Sequence, residues 1–263
     1  MSFMQMFILA LVQGISEFIP VSSSGHLVIL QEIMELSQPG VTLEVMLHFG
    51  TLMAVIVVFR HDIAGLIKGF LSLIGIAEKH PYEKLLLMVL IASLPAAILG
   101  LTFYGHISSF FSNASYAYFF LIINGFYLML NRFFSGGKIS LASVGPFKAI
   151  IIGLSQVFTM LPGISRSGTT ITTGILVKLD REAAARFSFL MSIPAVAGAT
   201  LYEARSIQSL DSSLSLLLAG VVISFVSGYI AIKILLKLIL AKKLHYFGYY
   251  CLFAGMLGLV FLK

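Results

Sequence analysis

The sequence predicts an all-α integral membrane protein: one domain of two inverted-topology repeats, each a re-entrant helical hairpin followed by three transmembrane helices. Three observations carry that expectation. Of 263 residues, 59% are apolar and only 11% are Asp, Glu, Lys or Arg, against about 25% in soluble domains. Mean hydropathy is +1.01, and the apolar residues gather into runs long enough to cross a bilayer. Two of these runs are interrupted by similar breaks rich in proline and serine. So few charges cannot cover a soluble globule of this size, which excludes an aqueous enzyme, a disordered chain and a coiled coil.

In chain order, the first run covers 3–36 and breaks at Ile19-Pro20-Val21-Ser22-Ser23-Ser24-Gly25. Proline and small polar residues stop one helix and start another. Each half is too short to span, so the pair reads as a re-entrant hairpin. Three crossings follow at about 42–60, 84–104 and 115–131, with a loop expected around 61–83. The second broken run covers 147–178 and breaks at Leu161-Pro162-Gly163-Ile164-Ser165-Arg166-Ser167-Gly168. Three more crossings follow at about 183–201, 214–236 and 245–262. Non-helical backbone at such depth is tolerated only inside protein or against a wet cavity.

The two breaks match at a constant offset of 143 residues. Gln13 pairs with Gln156, Ser22 with Ser165, Ser24 with Ser167 and Gly25 with Gly168. Repeat one then covers about 1–132 and repeat two about 146–263. Lys and Arg set the orientation: Arg60, Lys68, Lys79 and Lys84; Arg132, Lys138 and Lys148; Lys178, Arg181 and Arg186; Lys233, Lys237, Lys242 and Lys243. These four segments are expected on the cytoplasmic side. Both termini then lie outside, and the hairpins enter from opposite faces, which makes the repeats inverted. Such repeats bring their breaks together near the midplane.

The net charge of +6 reads as loop lysines and arginines facing anionic headgroups, not as a nucleic-acid surface. Cys251 is the single cysteine, so no disulfide forms within the chain. There is no Trp, and ten Tyr are available for the aromatic belt. The start, Met1-Ser2-Phe3-Met4-Gln5, lacks the basic residues of a leader and is expected to belong to the folded chain.

The chemistry gathers at the breaks. Gln13 and Glu17 are four apart and share a helix face. A carboxylate in an apolar helix is a functional candidate by default. Ser22, Ser23, Ser24 and Gly25 offer hydroxyls and free amides at a helix start, an anion site. His26 follows in the first turn and can bind a phosphate oxygen or move a proton. In the second break, Arg166 presents a rigid fork that matches phosphate. Ser165, Ser167, Thr169 and Thr170 surround it, with Gly168 at the helix start. The acid and imidazole sit in one copy and the cation in the other. A phosphoryl-transfer site needs that division of labour. Glu17, alone or with Gln13, can ligate Mg²⁺ or Ca²⁺ through oxygen. Glu44 and His48, also four apart, are candidates to line the cavity. Glu182 and Arg186 read as a structural pair, and Asn124 as a bond between helices.

The stretch from Gln13 to His26 resembles the first signature of the undecaprenyl-diphosphate phosphatase family linked to bacitracin resistance. Pro162 to Gly168 resembles its second signature. The likeness runs over nearly the whole chain, including Leu43-Glu44-Val45 and Phe187-Ser188-Phe189-Leu190. It implies an integral membrane hydrolase of the bacterial cytoplasmic membrane. Its substrate is a polyprenyl diphosphate lipid, and it recycles the carrier for peptidoglycan synthesis. It also implies central roles for Glu17, Ser23, His26 and Arg166, with Thr170 in the phosphate-binding set. Members of that family often carry Glu where this chain has Gln13. The expected partners are that lipid and the surrounding bilayer, with a homodimer as one state open to it. A secondary transporter or flippase of polyprenyl phosphate lipids would share the same inverted repeats. Release of phosphate separates the two readings.

Overall fold

The computed structural model describes residues 2–36, 41–205 and 213–261, and among these the regular structure is helical. Helix α1 runs over Phe3–Phe18. A capping box opens it: the Gln5 amide donates to Ser2 Oγ, and the Ser2 amide donates to Gln5 Oε1. It stops where expected, because Pro20 bars the helical conformation for the residue before it; Ile19 lies at φ −59, ψ 132. Helix α2 (Ser23–Ile33) starts after Ser22, whose φ of 69 turns the chain sharply.

Helix α3 (Val41–Val58) covers most of the first crossing. The segment expected as a loop around 61–83 instead contains α4 (Arg60–Leu73), bent 85° from α3. The reason is a helical period inside a charged stretch. Ile63 and Leu66 pack on the core while Ile67 and Phe70 face outward, and Gly65 and Gly69 let Tyr82 approach closely. Helices α5 (Tyr82–Ser108) and α6 (Ala114–Met129) complete the first half.

The second half also opens with a broken pair of helices. Helix α7 (Pro146–Val157) begins with proline in its first turn, where the missing N–H costs nothing. A 3₁₀ turn at Phe158–Met160 and the left-handed Gly163 (φ +102) lead to α8 (Arg166–Leu176). Helices α9 (Arg181–Ala204), α10 (Leu214–Leu240) and α11 (Tyr246–Phe261) follow. Both breaks therefore fall where the proline and serine signals put them.

Among the described residues, four helical segments are long and apolar enough to cross a membrane: Tyr82–Phe103, Ala114–Arg132, Arg181–Tyr202 and Leu214–Leu240. The bent pair α3–α4 makes a fifth if it counts as one span, whereas α1, α7 and α11 are apolar but shorter. Six crossings were expected, so length alone supports four or five. The chain is a multi-pass membrane protein. Helix α1 packs on α10, α5 on α7, α3 on α9 and α10, and α6 on α11. The last pair meets through Gly125, Gly248 and Gly255, where an added Cβ would strike the facing helix. Phe189 stacks on Phe59 and tilts against Phe18 at the centre of the core.

The four basic segments meet at one end of the bundle. Arg181 donates to the carbonyls of Phe134, Ser135 and Ile239, tying the ends of α6 and α10 to the start of α9. Ile139 forms a β-bridge with Leu179. Arg186 pairs with the buried Asp62 at 2.5 Å, and Tyr82 donates to the same carboxylate at 2.9 Å. The Glu182–Arg186 pair is present at 3.3 Å, as expected, but Asp62 is the closer partner.

Candidate active site

The two breaks touch. The Gly163 amide donates to Ser22 Oγ at 3.1 Å, and a Cβ on Gly25 would sit 2.9 Å from Gly163 backbone atoms. Ser167 Oγ donates to the Phe18 carbonyl at 2.7 Å. Asn124, at mid-length of α6, serves both breaks: its Nδ2 donates to the Pro20 carbonyl, and its Oδ1 accepts from the Ser165 amide, each at 3.1 Å. A lone amide in an apolar run, expected to bond between helices, does so at the junction itself.

The caps of α2 and α8 are built alike. Ser22 Oγ accepts from the Gly25 amide and lies 3.2 Å from Ser24 Oγ; Ser165 Oγ accepts from the Gly168 amide and lies 3.2 Å from Ser167 Oγ. Ser–x–x–Gly is the local reason each helix starts there. Most of these hydroxyls therefore hold the backbone in place. Thr170, fully buried, donates to the Arg166 carbonyl and lies 2.6 Å from Ser188 Oγ on α9, so its hydroxyl braces the start of α8. Gly168 sits against Pro20, where a Cβ would come within 2.9 Å of the proline ring.

Within this junction, Glu17 is the hub. Arg166 Nη2 donates to its Oε1 at 2.5 Å. Ser23 Oγ donates to its Oε2 at 2.6 Å, and Gln13 Nε2 donates to the same oxygen at 3.2 Å. The side chains of Glu17 and Arg166 are only 8% and 15% exposed, so this charge-assisted pair is held where water screens it weakly. Residues from α1, α2 and α8 thus meet on one carboxylate. Four of the expected residues, Gln13, Glu17, Ser23 and Arg166, form one connected cluster.

His48 joins it from α3. Its Nδ1 lies 3.0 Å from Gln13 Nε2 and 3.8 Å from Glu17 Oε2. Glu44, its expected partner in the cavity lining, accepts instead from Gln31 at 3.1 Å. His26 stands apart from the Glu17 hub. Its Nδ1 lies 2.8 Å from the Ser22 carbonyl and its Nε2 2.7 Å from Tyr250 Oη on α11. Nothing in the sequence marks Tyr250 among ten tyrosines; only the packing of α11 against the first break brings it there.

Two polar atoms of the cluster, Arg166 Nη1 and Gln13 Oε1, are buried without a hydrogen-bond partner. An unpaired buried polar group costs about 1–3 kcal/mol. Nη1 offers a cationic donor suited to a phosphate oxygen. Gln13 Oε1, the Glu17 carboxylate and Ser23 Oγ are the hard oxygen donors that Mg²⁺ and Ca²⁺ prefer. Among the described residues there is no group of three His, Cys, Asp or Glu able to hold a metal. A divalent ion here would need further oxygens, such as those of a phosphate.

This constellation can bind an oxyanion beside a hydroxyl already hydrogen-bonded to a carboxylate. Comparison with known proteins agrees in kind. A relative from Methanosphaera stadtmanae, named undecaprenyl-diphosphatase, is 39% identical over 264 residues, covering 96% of this chain and 95% of its own. Relatives of the same name from Methanobrevibacter smithii and Korarchaeum cryptofilum are 38% and 40% identical, over 98% and 97% of this chain and 96% and 98% of theirs. The family described as bacitracin resistance protein BacA matches residues 6–257. With a family match over nearly its full length and relatives this similar, the chain belongs to the BacA family.

Proposed function

We propose that this chain hydrolyses undecaprenyl diphosphate to undecaprenyl phosphate and inorganic phosphate, returning a lipid carrier to cell-wall polymer synthesis. The single observation that carries the reading is the buried contact of Arg166, Glu17 and Ser23, with Arg166 Nη1 left unpaired. The shared name of the relatives agrees with it.

In this mechanism the terminal phosphate takes Arg166 Nη1, with the amides at the starts of α2 and α8 contributing to the anion site. Ser23 Oγ is the nucleophile. It attacks the terminal phosphorus as its proton passes to Glu17 Oε2, 2.6 Å away, and undecaprenyl phosphate leaves as the bridging P–O bond breaks. Water then attacks the phosphoserine, with Glu17 managing the protons, and inorganic phosphate departs. His26 serves as a proton carrier at the rim, not as a partner of Ser23. The serines at the caps, together with Gly25, Gly168 and Thr170, shape the phosphate cradle by fixing its backbone. A divalent ion held by Glu17 and Gln13 would neutralise phosphate charge.

The inverted-repeat plan, with units at about 1–132 and 146–263, is supported by the matching caps and by the packing pairs. A two-fold that exchanges the halves turns α1 on α10 into α7 on α5. The gathering of the basic segments at one end supports a cytoplasmic location for that end and outside termini in a bacterial inner membrane.

The test is phosphate release from undecaprenyl diphosphate by the purified full chain in detergent, with Mg²⁺, with Ca²⁺ and with chelator. Release that depends on the ion and drops at least ~100-fold in Arg166→Ala is the expected result. A folded wild type that releases no phosphate under any ion overturns the reading in favour of lipid transport.

A further inference from the structure

We propose that Tyr250 is a positioning residue for His26, holding the imidazole in one tautomer and one orientation through both of its protonation states. The proposal rests on the hydrolase reading above. The Ser22 carbonyl, 2.8 Å from His26 Nδ1, can only accept, so Nδ1 carries the proton. In the neutral ring Nε2 is then a lone pair, and Tyr250 Oη, 2.7 Å away, donates to it. When Nε2 gains a proton, the same hydroxyl turns and accepts. A carboxylate could only accept and an ammonium only donate; a hydroxyl does both through one atom. This suits a histidine that must exchange protons without losing its place.

The tyrosine is itself well fixed. Its ring lies nearly parallel to the imidazole, at 14° and 5.7 Å between centroids. The next residue, Cys251, is buried and lies 3.3 Å from Asn124 Nδ2 and 3.8 Å from the Pro20 carbonyl. Gly248 and Gly255 seat α11 tightly on α6. The hydroxyl is thus referenced to the first break by a helix from the other half of the chain. Nδ1 stays committed to the Ser22 carbonyl, so a proton enters or leaves the ring at Nε2, as the Tyr250 hydroxyl turns aside or hands it on, and Tyr250 decides where that nitrogen points. Glu17 and Arg166 are occupied with each other beyond Ser23 and do not compete for it.

The experiment uses the full chain in detergent as wild type, Tyr250→Phe and His26→Asn, with ¹⁵N-labelled histidine. Tyr250→Phe is expected to lower kcat about tenfold with KM within about twofold, as for loss of one hydrogen bond to a charged group. Its thermal midpoint stays at the wild-type value. The unprotonated-nitrogen resonance of His26, identified by its loss in His26→Asn, shifts in Tyr250→Phe because Nε2 has lost its donor. Wild-type kcat in Tyr250→Phe overturns the proposal, and so does a fall in kcat with the His26 resonance unmoved. A wild type that releases no phosphate sinks the hydrolase reading instead, and the resonance comparison still decides the Tyr250–His26 contact.

Discussion

Glu17 balances two demands. One oxygen neutralises Arg166 and the other holds the Ser23 hydroxyl. Glu17→Gln removes the charge but keeps the shape, so it separates these roles poorly and damages both. It leaves Arg166 buried without a counter-ion, a loss of about 3 kcal/mol of stability, and removes the proton acceptor, a loss of roughly 100-fold in rate. Thermal unfolding and phosphate release on the same preparation measure the two. Ser23→Ala is gentler: it keeps the ion pair, so the protein melts near the wild-type temperature while turnover falls at least ~100-fold. At this scale the sequence was readable wherever a polar residue was out of place by itself. Glu17 and Arg166 stand in apolar runs, and the membrane environment makes each conspicuous. His48 stands out only as a cavity-lining candidate beside Glu44, and Tyr250 not at all, because each meets its partner 35 or 224 residues away.

Among the elements, the breaks were legible because their causes are local. Pro20 forbids a helical Ile19, and Ser–x–x–Gly caps the next helix without help from the rest of the fold. Helix α4 was missed because its charges read as loop while its apolar period is short; its packing against Tyr82 decides the matter, and that contact is tertiary. The second break rests on Gly163. Its φ of +102 is costly for any other residue, and a Cβ there would sit 2.4 Å from the Ala117 carbonyl. Gly163→Ala is therefore expected to lose about 2–4 kcal/mol. A lowered thermal midpoint and a cleavable 158–165 segment in limited proteolysis would check it.

For the whole molecule, charge sorts the ends. Four basic segments, scattered along the chain, converge on Arg181, Arg186 and Asp62 beyond the C-terminal end of α3, whereas the Glu17 hub meets α3 at His48. Asp62→Asn cuts the main clasp of that end. Arg186 is a third exposed, so the expected loss is about 2 kcal/mol, less than for a fully enclosed pair. Phosphate release per folded molecule should stay at the wild-type level, and a large fall there would tie the two ends together mechanically. An all-helical, multi-pass chain was the part that composition could foresee, since apolar and charged fractions are sums over the whole sequence. That the two breaks meet was also expected, but which side chains join them was not, because each contact is made by a single pair distant in sequence.

The hydrogen bond from Gly163 to Ser22 spans 141 residues. A ribosome adding about 5–20 residues per second delivers the second partner on the order of ten seconds after the first. During that interval the leading hairpin waits in the translocation machinery with its serines, Glu17 and His26 unmatched. The reactive centre consequently cannot come into being until the chain is well into its second half, and a nascent chain stalled before Gly163 leaves a polar hairpin for membrane quality control to find.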